Sequence, residues 1–177
     1  MFDSSFLAGK LVHLREVRES DAEGAYYEWM NDAEVTRFLE ARHFPQSVED
    51  IKEYIETLNN SSNDVFLAII ENDHNAHIGN IRLGGMDWLN RFAEIGLVID
   101  KPYWGRGIGP EAIALVSNYA FNTLGLNKVW AGILAPNVAS IRAFEKAGFT
   151  VDGVLHRQYL FQGAHVDDIV VAKWNLK

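Results

Sequence analysis

The residues best suited to chemistry lie in a glycine-rich stretch, Tyr-Trp-Gly-Arg-Gly-Ile-Gly-Pro-Glu-Ala at 103–112. The apolar run Phe92–Ile99 predicts a buried strand before it, and apolar residues at helical spacing from Ile108 predict a helix after it. Such a turn leaves consecutive backbone N–H groups unpaired at the positive end of a helix dipole, and glycines let a bulky anion approach. We therefore predict a phosphate or pyrophosphate site, with Pro110 at the first helical position. A turn that only caps the helix is the simpler alternative.

Spacing excludes two common phosphate sites. The Walker pattern requires Gly-Lys-Ser/Thr, whereas Pro110 follows Gly109 here. The dinucleotide fingerprint requires Gly-x-Gly-x-x-Gly, but Gly105, Gly107 and Gly109 alternate. No acidic residue ends a following strand about 20 residues later, as that fingerprint also demands. The stretch is therefore a different kind of phosphate site.

Composition narrows the class of protein. The chain has 177 residues, of which 48% are hydrophobic, and this fits one domain spanning residues 1–177. The absence of cysteine excludes disulfides, thiolate metal sites and cysteine nucleophiles. The six histidines show no spacing typical of metal ligands, so we predict no metal site.

Charge and hydropathy bear on partners and location. The net charge of −8 argues against nonspecific nucleic-acid binding and suits a cationic amine. No apolar stretch reaches membrane-spanning length, so we predict no membrane association. The first residues lack the basic start and apolar run of a signal peptide, which makes a cytoplasmic location the expectation.

The predicted elements position this turn near the middle of the chain. Alternation and helical spacing predict one strand, two helices, three strands, a helix, a strand, a helix and two closing strands. This order indicates an α+β domain with a mixed, mostly antiparallel central sheet flanked by helices. The predicted strands cover 11–17, 65–70, 77–83, 92–99, 128–134, 151–161 and 166–174, and the predicted helices cover 22–30, 48–59, 108–123 and 137–147.

A second motif identifies the family. Residues 137–149 read Asn-Val-Ala-Ser-Ile-Arg-Ala-Phe-Glu-Lys-Ala-Gly-Phe. Together with the glycine-rich turn, this segment resembles the GNAT superfamily of acetyl-CoA-dependent N-acetyltransferases over nearly the whole chain. The branch that acetylates the N-termini of ribosomal proteins looks most similar, through Ala93–Gly96 and residues 103–107. A weaker likeness links residues 79–88 to members that acetylate nucleotide-linked amino sugars.

The resemblance implies where acetyl-CoA binds. The glycine-rich turn would take up the pyrophosphate, and the adjoining strand and second motif would hold the rest of the molecule. The cofactor-binding residues implied are Leu97, Val98, Ile99, Trp104, Gly105, Arg106, Gly107, Ile108, Gly109, Pro110, Asn137, Ser140, Phe144 and Lys146. One departure matters, because Phe144 stands where many members have a tyrosine that protonates the departing thiolate.

The implied reaction is attack of an amine on a thioester, which needs a proton acceptor and an oxyanion donor. We predict Glu94 as the base, with Asp87 as the alternative, and a backbone N–H of the central strand as the donor. Ser140 could protonate the thiolate, although capping a helix is an equally good role for it. Tyr26, Trp88 and Asp87 are predicted to line the acceptor site.

The predicted activity is therefore direct acetyl transfer from acetyl-CoA to a primary amine in a ternary complex. A protein N-terminus, an amino sugar and a small amine all stay open as acceptors, and a homodimer stays open as the assembly. The alternative is an acetyl-CoA sensor or structural protein without turnover, which the missing tyrosine would fit. Release of free CoA thiol with a panel of amines separates the two.

Overall fold

A computed structural model describes residues 5–176 as an eight-stranded sheet with four α-helices. The strands are β1 (Leu7–Ala8), β2 (Val12–Glu16), β3 (Val65–Glu71), β4 (Ala76–Asp87), β5 (Phe92–Ile99), β6 (Lys128–Leu134), β7 (Thr150–Phe161) and β8 (Ala164–Trp174). The helices are α1 (Ala25–Asn31), α2 (Val48–Asn59), α3 (Ile108–Asn122) and α4 (Val138–Lys146). Short 3-10 helices cover Glu19–Ala22, Glu40–His43 and Lys101–Tyr103.

The strands lie in the order β1-β2-β3-β4-β5-β6-β8-β7. Every neighbouring pair is antiparallel except β5 and β6, which run parallel because α3 connects them as a crossover. The mixed, mostly antiparallel sheet of the sequence prediction is confirmed.

The helices cover the two faces of the sheet unequally. α3 and α4 contribute Ile113, Val116 and Phe144 to the larger apolar core on one face. α1 and α2 contribute Trp29 and Ile55 to a smaller core on the other face. Since side chains alternate along a strand, one strand can present residues to both cores.

Most element boundaries agree with the sequence predictions, and three do not. The predicted end of the second hairpin strand at residue 83, before Gly84-Gly85, is wrong, because β4 continues to Asp87 with a shift in its pairing to β5 after Gly84. Pro110 is the third residue of α3 rather than the first, since the helix already begins at Ile108. A proline is tolerated there because N–H groups of the first helical turn have no acceptor within the helix.

The third disagreement concerns the N-terminal elements. α1 begins at Ala25 rather than residue 22, because Glu19–Ala22 forms a separate 3-10 helix and Gly24 has a positive φ of 105°. The sequence pattern does not predict β1, since Leu7–Ala8 is too short to show alternation. Within residues 5–176, none of the helices combines the length and the apolarity of a membrane span.

Candidate active site

A cleft opens in the sheet where β5 and β6 separate. The two strands pair only from Phe92 with Lys128 to Glu94 with Trp130, yet β5 continues to Ile99 and β6 to Leu134. β4 holds the far edge of β5, and β8 holds the far edge of β6. The strands therefore diverge as a wedge, and the half-buried segment 97–99 of β5 turns one backbone edge toward it.

The glycine-rich turn forms the wide end of this wedge. Gly105 and Gly107 have positive φ angles of 75° and 84°, a conformation that glycine adopts without steric cost. Gly107 precedes α3, and no side chain caps the helix there. The backbone N–H groups of residues 105–109 have no hydrogen-bond acceptor within the described part of the chain. Unpaired N–H groups at a helix N-terminus are the arrangement that binds a pyrophosphate.

Side-chain hydrogen bonds connect the turn and the start of α3 to neighbouring strands. The indole Nε1 of Trp104 donates a hydrogen bond to the Ile99 carbonyl at 2.6 Å. The Glu111 carboxylate accepts hydrogen bonds from the N–H groups of Leu11 at 2.7 Å and Val12 at 3.2 Å. The Arg106 guanidinium lies over the Tyr103 ring, 5.2 Å from its centroid. Trp104 and Arg106 therefore support the turn at its entrance, while their exposed surfaces stay available to a ligand.

The second motif forms α4 and its cap. The side chain of Asn137 accepts a hydrogen bond from the Ser140 N–H at 3.3 Å and so caps the helix. Phe144 is buried, with 1% of its surface exposed, and its ring packs edge-on against Phe149 at 5.0 Å. Lys146 is exposed in the last helical turn. Asn137 and Ser140 thus lie at the start of α4, whereas Lys146 lies at its other end.

Glu94 occupies the point where β5 and β6 part. It is the last residue of β5 that pairs with β6, and its carboxyl lies close enough to the Gly132 N–H for that donor to influence its pKa. Glu94 is two and four residues from Gly96 and Val98, so it shares the sheet face on which Val98 packs against the α1–α2 core. Desolvation raises the pKa of its carboxyl, and the positive charge of Arg82 opposes this rise.

Further carboxylates surround Glu94, and the sequence predictions missed them. Asp168 on β8 is 4% exposed, and its Oδ1 has no hydrogen-bond partner among the described residues. Burial raises the pKa of the Asp168 carboxyl, although the Ile133 N–H opposes this. The charges of Asp168 and Glu40 help to raise the pKa of Glu94, and together with burial they raise that of Tyr159. These four side chains, Glu40, Glu94, Tyr159 and Asp168, are called the carboxylate site below.

Gly132 lies between two members of the carboxylate site. A Cβ atom at this position would come within 2.9 Å of Asp168 Oδ2, so the missing side chain makes room for that carboxylate. No local pattern marks the four members of the carboxylate site as a group, because they come from a 3-10 helix, β5, β7 and β8. The only available signal was the position of Asp168 at alternating spacing in a strand otherwise rich in valine and isoleucine.

The structure separates the predicted acceptor residues. Asp87 accepts hydrogen bonds from the backbone and side chain of Asn90 at 2.7 and 2.8 Å, and these bonds lower the pKa of its carboxyl. Trp88 is 49% exposed in the same turn and donates a hydrogen bond to Asn63. Tyr26 is 3% exposed in the α1–α2 core, where its ring contacts Trp29. Asp87 thus stabilises a turn, and Tyr26 lies beneath the surface.

Comparison with known proteins identifies the family. Residues 12–150 match the Acetyltransferase (GNAT) domain. The chain belongs to the GNAT acetyltransferase family. The N-acetyltransferase resemblance seen in the sequence is thereby confirmed, together with the use of acetyl-CoA as co-substrate.

Individual relatives agree with this GNAT assignment. The chain is 34% identical to YoaA of Bacillus subtilis, an uncharacterized N-acetyltransferase, over 84% of each chain. It is 36% identical to the putative ribosomal N-acetyltransferase YdaF of the same organism, over 50% of this chain and 49% of that one. Among solved structures, spermidine N-acetyltransferase from Vibrio cholerae with CoA and spermine superposes with a TM-score of 0.84 at 17% identity, covering 94% and 96% of the two chains.

These relatives establish the enzyme class and leave its details open. Their names support an N-acetyltransferase and give no support to a sensor without turnover. The ribosomal branch, the acceptor, the homodimer and the cytoplasmic location stay predictions. The unpartnered N–H groups and the divided strands of this GNAT chain are suited to the acyl-CoA that its family uses.

Proposed function

We propose that this enzyme transfers the acetyl group of acetyl-CoA directly to a primary amine held at the carboxylate site. The observation that carries the proposal is the position of Glu94, at the apex of the cleft with further carboxylates around it. A site with this charge attracts an amine in its ammonium form. The proposal also includes one catalytic domain over residues 1–177.

Glu94 acts as the proton acceptor in this proposal. A base works best when its pKa lies near the working pH, and desolvation moves the Glu94 pKa upward, in that direction. Asp168 and Glu40 hold the ammonium in place until Glu94, directly or through a water, removes the proton. Asp87 is the weaker candidate because its oxygens are engaged by Asn90 and its pKa is lowered.

The remaining residues bind and orient the two substrates. Acetyl-CoA supplies the activated acetyl group, and attack by the amine nitrogen forms the amide bond while the carbon–sulfur bond breaks and the thiolate leaves. A backbone N–H on the free edge of β5, in segment 97–99, donates to the carbonyl oxygen as its negative charge develops. Ser140 or solvent protonates the thiolate, since Phe144 has no proton to donate. Thiolates leave readily, and alignment of the two substrates supplies much of the acceleration.

Substitution of Glu94 tests this function. We expect Glu94→Gln to lower kcat/KM by about 10²-fold or more, the lower end of general-base contributions, with the affinity for acetyl-CoA unchanged. The parent rate should rise with pH as the Glu94 carboxyl loses its proton, and this rise should flatten in the variant. Thiol release with a panel of amines, amino sugars and peptides measures kcat/KM and its dependence on pH.

The matched control is Glu53→Gln, which removes an exposed carboxylate from α2. It should leave the rate and the pH profile as they are. Full activity of Glu94→Gln on its best acceptor would move the base to Asp87 or to an ordered water. Asp87→Asn then separates these two possibilities, because only a base at Asp87 predicts a large loss.

A further inference from the structure

A polar pocket opens at the surface, lined by residues from two elements that also contribute to the carboxylate site. It has a volume of about 310 Å³ and opens between the segment after α1 and the tip of the β7–β8 hairpin. The pocket is open to solvent, and its volume lies at the lower end of the range of small-molecule sites. Its lining includes Thr36, Arg37, Arg42, His43, Phe161 and Gln162. We call it the arginine pocket.

The arginine pocket is basic in a chain of net charge −8. The Arg37 guanidinium stacks over Phe38 and Phe161, 5.2 and 5.7 Å from the ring centroids. Arg42 uses one guanidinium nitrogen to donate to the Leu39 carbonyl at 2.7 Å. Neither arginine has a carboxylate partner in residues 5–176. Donors therefore stay available on both, in the planar arrangement that binds phosphate or carboxylate oxygens in pairs.

Two elements connect the arginine pocket to the carboxylate site. The 3-10 helix Glu40–His43 begins with a residue of the carboxylate site and ends with a residue of the pocket. Three residues per turn place Glu40 and His43 on the same side of that helix.

The second connection is β7. Tyr159 of the carboxylate site and Phe161 of the pocket are two residues apart, in a stretch that pairs regularly with β8. Their side chains therefore lie on one face, about 7 Å apart along the strand. A single small molecule is long enough to reach both sites.

We propose that the acceptor amine also carries a phosphate or carboxylate group, which binds in the arginine pocket while the amine lies beside Glu94. This inference rests on the proposed function and specifies its substrate class. Arginine binds such oxyanions in a fixed geometry, so the pocket orients the acceptor as well as holding it. A polyamine of the same length would bring a second ammonium toward two guanidiniums, and like charges repel.

The test compares acceptors of equal length. Three series serve as probes: ω-aminoalkyl phosphates, ω-amino acids and α,ω-diamines. We expect the best anionic acceptor to exceed the diamine of that length at least about 10-fold in kcat/KM, the size of one charge-assisted contact. The first two series distinguish phosphate from carboxylate as the preferred group.

Substitutions link that preference to the arginine pocket. Arg37→Gln and Arg42→Gln should each lower kcat/KM for the anionic acceptor toward the diamine level, and Arg37→Gln should leave the rate with a simple alkylamine unaffected. Arg37 makes no hydrogen bond to the backbone of residues 5–176, so its variant avoids the loss of a backbone contact. Lys52→Gln, which removes a half-buried positive charge on α2 that pairs with Glu23, controls for net charge. Inorganic phosphate should compete with the acceptor in the parent and less in Arg37→Gln.

Two results would overturn the inference. Diamines equal to or better than the anionic acceptors would contradict it, and so would an anionic preference that survives both arginine variants. If amines are acetylated with dependence on Glu94 in either case, the proposed function stands and only the substrate class is wrong. If no amine in any series is acetylated, both proposals fail together.

Discussion

The two sides of the cleft present different chemical groups, which are backbone groups on one side and charged side chains on the other. The predicted acetyl-CoA side presents backbone, namely the N–H groups of residues 105–109 and the free edge of β5. The proposed acceptor side presents charged side chains, with Glu94 at the apex and Asp168 contributing from β8. A backbone site depends on conformation and on the absence of side chains, whereas a side-chain site depends on charge. Substitutions should therefore affect the two sides in different ways.

The largest effect on the backbone side should come from Gly107→Val. A Cβ at this position would lie 3.5 Å from Leu11 Cδ1 in the turn that carries the unpaired N–H groups. We expect the branched side chain to hinder the pyrophosphate and acetyl-CoA affinity to fall about 100-fold, equivalent to losing one or two hydrogen bonds to a charged group. Calorimetry with CoA measures this. Gly107 also has a φ of 84°, which strains any residue with a Cβ, so some loss of stability is expected as well.

A matched control separates strain from blockage. Gly125 has a φ of 66° just beyond the other end of α3, and a Cβ atom at this position would meet no other atom within 4 Å. Gly125→Val should therefore lower the free energy of unfolding by a comparable amount and leave CoA affinity unchanged. An unchanged affinity in folded Gly107→Val would mean that the turn is not the pyrophosphate site.

A smaller effect on the same side is expected from Asn137→Ala. The variant loses the cap on the Ser140 N–H and the predicted contact with the pantetheine arm. We expect acetyl-CoA binding to weaken by about 1–2 kcal/mol, or roughly 5–30-fold. Asn137→Asp keeps a capping oxygen and removes the amide donor, so it should preserve stability while affinity falls. If neither variant changes affinity, Asn137 has a structural role alone.

The difference between the backbone side and the side-chain side of the cleft also explains which parts of the site the sequence could predict. The turn at 103–112 and the helix at 137–149 are continuous segments, so spacing alone located them together with the strands beside them. The carboxylate site joins residues 40, 94, 159 and 168, and only Glu94 was identified because it begins the strand that enters the turn. Pairing of β6 with β8 brings Asp168 to this site, and local periodicity carries no information about that pairing.

Tyr26 illustrates the converse difficulty, and its place in the acceptor site stays a prediction. Its residue type suits an acceptor site, but its position in α1 places it 3% exposed against Trp29. Aromatic residues at helical spacing pack into a core in most cases, and here the α1–α2 core takes both. The residue type alone could not distinguish a lining residue from a core residue.

Asp168→Asn should produce a moderate effect on the side-chain site. Loss of this charge should raise KM for the amine about 5-fold, the ~1 kcal/mol of a partly screened charge contact, with acetyl-CoA affinity unchanged. The variant should also be more stable than the parent at pH 7. Because burial raises the folded-state pKa of Asp168, the folded protein binds this proton more tightly than the unfolded chain does.

The pH dependence of the free energy of unfolding tests whether Asp168→Asn is more stable than the parent. The parent should lose stability as pH rises from about 4, the ordinary aspartate pKa, through the raised pKa of Asp168. The variant cannot ionise at this position and should lack that loss, so the two unfolding curves should converge at acidic pH. A variant less stable than the parent at pH 7 would show that the Asp168 carboxylate has a compensating partner.

The smallest effect is expected where the two sides meet, at Phe144→Tyr. The variant restores the phenol that many family members have, yet Phe144 is 1% exposed and packs against Phe149, so the hydroxyl needs a partner or costs about 1–3 kcal/mol of stability. We expect kcat to change less than about 10-fold, since general-acid contributions are larger only when nothing else donates the proton. Single-turnover thiol release measures departure of the CoA thiolate directly, and Phe144→Leu serves as the packing control. A large gain would mean that the native enzyme has no general acid at Ser140 or in solvent and that the thiolate departs unaided.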